Sequence, residues 1–164
     1  MNEKRLRFRK GWSTYMPVLI KAVQETDGSV LELGSGFYST PLLHWLLFGR
    51  NRKLFTYEDA EQYYSFSKRF RSKFHSIRFV DNWDDIKIEK KWSVVLIDHT
   101  TNRRKIDAIR VKDYADYVIL HDSEHPKIYG YNEVYKHFKY IYHWKFCKPY
   151  TTVVSNFKDV NKLI

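Results

Sequence analysis

The sequence predicts an α/β protein: a doubly wound, mostly parallel seven-stranded sheet with helices on both faces and an antiparallel C-terminal strand. Three observations predict it. Apolar strand-like runs alternate with helix-like segments, the order that yields right-handed βαβ units around a parallel sheet. The first such run stops at a glycine-rich turn, Gly34-Ser35-Gly36. The last two runs are separated only by Cys147, Lys148, Pro149 and Tyr150, a hairpin-length link, whereas a parallel crossover needs a dozen or more residues.

Each element has a local cause. Val18, Leu19, Ala22 and Val23 share one face of a helix over 14–25, which ends at the turn pair Asp27-Gly28. Residues 30–33, Val-Leu-Glu-Leu, read as a buried strand. Ser39-Thr40-Pro41 reads as a helix start, with Ser39 or Thr40 as cap and proline in the first turn, and the helix runs to about residue 48, before Gly49. Strands are then expected at 53–57, 77–80, 93–97 and 117–120, and helices at 60–73, 103–111 and 132–140. Strands at 142–146 and 151–155 complete the set.

At 164 residues the chain is the size of one domain, read as an N-terminal arm and helix (1–28) followed by the α/β core (29–164). Its 43% hydrophobic and 18% aromatic content excludes a disordered chain. Cys147 is the only cysteine, so an intrachain disulfide and a cysteine-based metal cluster are excluded, and a reducing, cytoplasmic location is expected. The longest uncharged apolar run, 41–48, is far below a membrane span, so no membrane partner is expected. The formal charge of +10 points to an anionic partner, nucleic acid included, or simply to solubility.

In an open α/β sheet ligands bind outside the carboxyl ends of the strands, so the residues just after each strand are the candidates. Gly34, Ser35 and Gly36 follow the first strand, with Glu32 at its end, and glycine there lets a ligand approach the backbone. Ser39 stands where a dinucleotide fingerprint has its third glycine, and Glu32 brings negative charge where a pyrophosphate would approach, so a cationic ligand suits the turn better. Glu58 follows Gly34 at about the spacing of ~20 at which an acid accepts both hydroxyls of a ribose. Asp81, Asn82 and Trp83 offer an acceptor for an exocyclic amine and a stacking ring. Asp98-His99 ends the fourth strand and His121-Asp122 the fifth; carboxylates and imidazoles converging there suit an acid/base pair or a divalent metal. Arg103 and Arg104 are candidate clamps for a phosphate or carboxylate, the other reading being a solvated helix start.

The run Val30-Leu31-Glu32-Leu33-Gly34-Ser35-Gly36 resembles the first motif of the class I S-adenosylmethionine-dependent methyltransferases. The likeness extends over nearly the whole chain: Glu58 matches the family's ribose-binding acid, Asp81 and Asn82 its adenine-side position, and Asp98 its fourth motif. The closing hairpin is similar to the family's antiparallel last strands. The resemblance implies a Rossmann-like fold that binds S-adenosylmethionine through Glu32, Gly34, Ser35, Gly36, Glu58, Asp81, Asn82, Trp83 and Asp98, releases S-adenosylhomocysteine, and moves a methyl to a nucleophile. The base candidates are Asp98, His99, His121 and Asp122, with His121 or His99 preferred because imidazole titrates near neutral pH.

Departures narrow the acceptor. Asp98-His99-Thr100-Thr101 is not the Asp/Asn-Pro-Pro-aromatic motif of base-amine methylases, and Cys147 does not follow a proline as in cytosine-C5 enzymes. Catechol-type members hold magnesium on an Asp and an Asp-Asn pair. Asp98 and Asp122 match, Ser123 departs from the asparagine, and no metal ligand is assigned, a divalent metal staying an alternative. The expectation is O-methylation of a small anionic metabolite or glycan, covered by residues 1–15, by the 124–131 loop or by a second subunit in a homodimer. The alternative is a nucleic-acid methyltransferase or binding module, motivated by the charge and the basic, aromatic stretch 129–150.

Overall fold

Helices and strands alternate along most of residues 11–163, which the computed structural model describes. They are α1 (Met16–Gln24), β1 (Val30–Leu33), α2 (Ser39–Leu47), β2 (Leu54–Glu58), α3 (Glu61–Ser67), β3 (His75–Phe79), β4 (Trp92–Ile97), α4 (Arg104–Arg110), β5 (Ala115–Leu120), α5 (Tyr131–Tyr135), β6 (Tyr140–Trp144) and β7 (Thr151–Ser155). One sheet holds all seven strands in the order β3-β2-β1-β4-β5-β7-β6. The first five strands are parallel, and β7 runs antiparallel to both β5 and β6. The expected sheet and its antiparallel end are therefore present.

Both faces of the sheet are covered, which is why β1, β4 and β7 are buried at every position instead of alternating. Leu31, Leu33, Val95, Ile97, Val118 and Leu120 face α4 and α5 in one cluster. Val30, Val94, Leu96, Tyr117 and Ile119 face α1 and α2 in the other. Each fully buried Leu, Ile or Val contributes roughly 1.5–3 kcal/mol.

Several local expectations differ: the helix over 60–73 ends at Ser67, followed by a 3-10 turn at Lys68–Phe70, and the strand over 142–146 lies at Tyr140–Trp144. The helix over 132–140 ends at Tyr135, because Tyr140, Tyr142 and Trp144 alternate inward as β6 and pack against the second cluster. Ser39 and Thr40 do not cap α2: Tyr38 is the cap residue and no side chain bonds the helix start. Both side chains turn inward instead. The Thr40 hydroxyl donates to both oxygens of Glu32, at 3.0 Å each, because a buried carboxylate requires partners.

Candidate cofactor cleft

The parallel ladders run on past the strand ends and bring the tips to one level. Gly34 N donates to Tyr57 O at 2.9 Å, Asp98 N to Leu33 O at 2.9 Å, and His121 N to Ile97 O at 3.3 Å. Above them lies a cleft of about 300 Å³ whose walls include Gly34, Ser35, Gly36, Glu58, Asp98, His99, His121 and Asp122. Nine of the residues singled out in the sequence, Arg104 included, are thus brought together.

The glycine turn is anchored by an acid on each side. Ser35 donates to Glu58 Oε2 through its amide (2.6 Å) and its hydroxyl (2.9 Å), while Ala60 N donates to Oε1 at 2.8 Å. Gly36 N donates to Thr40 Oγ1 at 3.1 Å, and the Thr40 hydroxyl in turn donates to Glu32. Glu32 is 0% exposed and lies beneath the cleft, not in its wall. Burial pushes both carboxyls up to about 7, against the hydrogen bonds that favour their ionised forms. Behind Glu32, Thr56 donates to it at 2.6 Å and contacts His75 Nε2 at 2.9 Å, and His75 meets His44 at 3.1 Å. That buried chain braces the turn from inside.

The two glycines differ. Gly34 has φ +88°, and a Cβ there would stand 2.6 Å from the Asp98 carbonyl, so its bareness serves the junction of β1 with β4. At Gly36 a Cβ would meet only Ser39 Oγ, at 3.4 Å. Gly36 is therefore where a ligand can lie against bare backbone.

On the other side of β1, Arg104 organises the tips of β4 and β5. Its guanidinium donates to Asp98 Oδ1 (2.8 Å), Asp122 Oδ2 (2.9 Å) and the carbonyls of His99 (2.7 Å) and His121 (3.3 Å), with Tyr129's ring 4.5 Å away. Arg104 is 6% exposed, so it is neither a solvated helix start nor an available anion clamp. Arg103 is likewise engaged, by Asp84 at 2.9 Å and Asp107 at 3.3 Å. Asp122 adopts φ 57°, the left-handed region that Asp tolerates better than most residues.

His121 Nδ1 lies 3.1 Å from Asp98 Oδ1, and Nε2 lies 3.2 Å from Thr14 Oγ1. The single hydroxyl proton of Thr14 has its shortest contact with Pro149 O, at 2.6 Å, so Thr14 accepts from Nε2. Both ring nitrogens then carry protons, an assignment made from the hydrogen-bond network. Burial pulls the imidazole down, but Asp98 and Asp122 outweigh it and hold it above the usual histidine value. Asp98 balances the other way: burial raises it, while His121 and Arg104 together keep it below the ordinary range. His99 differs from His121. Its Nε2 donates to Asp107 at 2.9 Å, its ring packs on Trp83 at 4.3 Å, and Nδ1 is buried with no partner among the described residues. Burial lowers it, outweighing the pull of Asp107 and favouring the neutral ring.

Asp98, His121 and Asp122 place ligand atoms within 4.8 Å of one another, a set that suits a divalent cation by type. The space between the two carboxylates is taken by the Arg104 guanidinium. The residues therefore do not fit a metal unless a buried cation is expelled. S-adenosylmethionine fits better: an acid for a diol at Glu58, bare backbone at Gly36, and a carboxylate-rich wall for a sulfonium and an ammonium.

Asp81 and Asn82 do not reach this cleft; they line a neighbouring cavity of about 480 Å³ with Tyr57, Phe79 and Lys87. Trp83 is buried in the core, its indole N–H donating to Asp59 Oδ2 at 2.9 Å. Asp59 itself lines the cleft, as do Trp12, Tyr15, Phe37, Tyr63 and Thr100. Asp59 could have been found as the next residue after Glu58. Tyr15 carried only a helix signal, though its ring packs edge-on against His121 at 4.8 Å. The basic segment 4–10 of the arm lies outside the described residues.

No family model and no curated relative matches the sequence. Solved structures do. A candidate O-methyltransferase from Klebsiella pneumoniae superposes with a TM-score of 0.70 at 11% identity, covering 93% of this chain and 82% of that one. An O-methyltransferase from Bacillus cereus in complex with SAH gives 0.69 at 13% (92% and 84%), and TomG from Streptomyces achromogenes, an O-methyltransferase in complex with SAM, gives 0.66 at 12% (88% and 79%). Together with the strand order and the cleft at the strand tips, these similarities show that the chain has the class I S-adenosylmethionine-dependent methyltransferase fold.

Proposed function

We propose that the chain is an S-adenosylmethionine-dependent methyltransferase acting on a hydroxyl oxygen of a small metabolite or glycan. The observation that carries this reading is Glu58, 4% exposed yet lining the cleft, on the opposite side of the glycine turn from the Asp98-His121 pair. Bound there, the cofactor supplies an electrophilic methyl on sulfur. Glu58 would accept from its ribose hydroxyls and the Gly36 backbone would lie against it, with Asp59 and Thr100 as further polar groups of the cleft wall. Once pH exceeds its raised titration point, His121 is neutral, its remaining proton on Nδ1 held by Asp98, and Nε2, released from Thr14, takes the acceptor's proton. His99, tied to Asp107 and packed on Trp83, contributes to the cleft wall.

The similar structures described as O-methyltransferases support oxygen as the acceptor atom. An anionic acceptor draws support only from the overall charge of +10, because Arg104, the one arginine or lysine among the described cleft residues, is already paired. The nucleic-acid alternative loses part of its motive too. Within 129–150, Tyr129 packs beneath Arg104, and Tyr131 and Phe138 are buried, so these rings offer no stacking platform.

Calorimetric titration with S-adenosylmethionine and S-adenosylhomocysteine tests the site, using Gly36→Val and Glu58→Ala. Gly34→Val is unsuitable because its side chain strikes the Asp98 backbone. Micromolar binding lost in both variants supports the assignment; wild-type indifference to both ligands removes it. Transfer of a labelled methyl to a small-molecule extract then tests the acceptor class.

A further inference from the structure

The end of the molecule opposite the cleft is built differently. α2 leads away from the glycine turn; its last turn exposes Trp45, and the residue that ends it is the exposed Phe48, the two being 63% and 62% accessible. Their rings lie 5.8 Å apart, and Phe48 meets Phe74, just before β3, at 6.1 Å. Around this ridge stand Arg50, Lys53 and Lys73, all exposed. Lys53 Nζ reaches the Lys73 carbonyl at 3.0 Å, which places the two segments side by side. No acid occurs in 41–57 or in 62–80, and none of the three cations makes an ion pair among the described residues.

We propose that this end docks on a phospholipid surface bearing anionic headgroups. A projecting Trp and Phe match the interfacial layer, where an amphipathic ring has one apolar side and one wet side. The cations beside them match headgroup phosphates, each worth roughly fivefold in partition near an anionic leaflet. A second copy of the chain is opposed by the same charges, because a two-fold interface would set each unpaired cation group against its own image. No helix among the described residues is long and apolar enough to cross a membrane, so the contact is peripheral. The cleft, at the other end of the strands, stays open when this end is engaged.

Co-sedimentation of the full chain with phosphatidylcholine vesicles, plain or doped with phosphatidylglycerol, tests this. The expected result is binding to doped vesicles only, weakened by salt and reduced at least tenfold in Trp45→Ser/Phe48→Ser and in Arg50→Glu/Lys73→Glu. Circular dichroism and S-adenosylhomocysteine titration confirm that the variants are folded. Equal binding to both vesicle types, no binding to either, or indifference to the substitutions overturns the proposal. So does a single-stranded oligonucleotide that binds wild type and loses affinity in both double variants, which would make the surface a nucleic-acid site. A dimer that dissociates in Trp45→Ser/Phe48→Ser would overturn it as well.

Discussion

Glu58 and Asp98 stand at strand tips on either side of β1, line the same cleft, and are shifted in opposite directions. Glu58 receives only neutral donors, the amides of Ser35 and Ala60 and the Ser35 hydroxyl, and burial carries it up to about 7. Asp98 is pressed upward by burial too, yet Arg104 and His121 hold it down. The half of the cleft assigned to cofactor is thus held by neutral hydrogen bonds that a diol can extend. The half assigned to the acceptor is a closed set of charges. Desolvation is common to both, and what differs is whether a full positive charge sits within reach.

The comparison breaks most completely at Arg104. Arg104→Met strands two carboxylates and two strand-end carbonyls, and removing one partner of a buried ion pair costs about 3–5 kcal/mol. At ~2–4 °C per kcal/mol for a chain of this size, thermal unfolding should fall by roughly 6–20 °C. Adding Asp98→Asn should restore part of that loss, because the orphaned charge goes with it. An unchanged midpoint in Arg104→Met would mean that the two carboxylates do not depend on it.

His121 comes next. His121→Gln keeps a polar side chain but cannot take a proton, and turnover should fall by about 10²–10⁴, with cofactor affinity little changed. Because Asp98 and Asp122 raise the imidazole, the wild-type rate should rise with pH through a value above that of an ordinary histidine. A pH profile in His121→Gln that keeps the wild-type shape would sink the assignment.

Glu58 sharpens the comparison through pH. Its carboxyl, and that of Glu32, shift from 4.5 to about 7 on folding. Stability linked to these raised values is full below 4.5 and is lost as pH rises toward 7, by about 3 kcal/mol for each group. The Asp98 contribution has the opposite sign: lowered, it is present at neutral pH and lost as pH falls through the acid range. Cofactor affinity should run against the Glu58 stability, because the ionised carboxylate is the better acceptor for a diol. S-adenosylhomocysteine should therefore bind more tightly at pH 8 than at pH 6. Glu58→Gln should flatten that dependence and weaken binding about tenfold or more.

The neutral half was far more legible in the sequence than the charged half, for a physical reason. Gly34, Ser35 and Gly36 are contiguous, and Glu58 ends the adjacent strand, so strand length and spacing alone place them together. Arg104 meets Asp98 and Asp122 only because α4 starts at one strand tip and leans over the next, and a helix-start arginine looks the same in sequence whether solvated or buried. Asp81 and Asn82 follow the third strand and match the family's adenine-side position, but the 3-10 turn at Trp83–Asp85 drops Trp83 into the core and leaves them in a separate cavity. Likewise, Ser39 and Thr40 carry a cap signature. The buried Glu32 carboxyl, whose need for partners the cap pattern does not show, draws Thr40 inward.

The smallest expected effect is none, and it bears directly on what fills the charged half. Asp98, His121 and Asp122 could ligate a divalent ion only if Arg104 left, and Arg104 is nearly inaccessible, with its guanidinium bonded to two carboxylates and two carbonyls. A guanidinium fixed between two carboxylates already supplies the positive charge that a metal would bring to those tips. Treatment with EDTA, followed by added magnesium, should therefore leave S-adenosylhomocysteine affinity, thermal midpoint and methyl transfer all unchanged. A loss on chelation that magnesium restores would show that the arginine yields its place, and that the charged half opens where the structure has it closed.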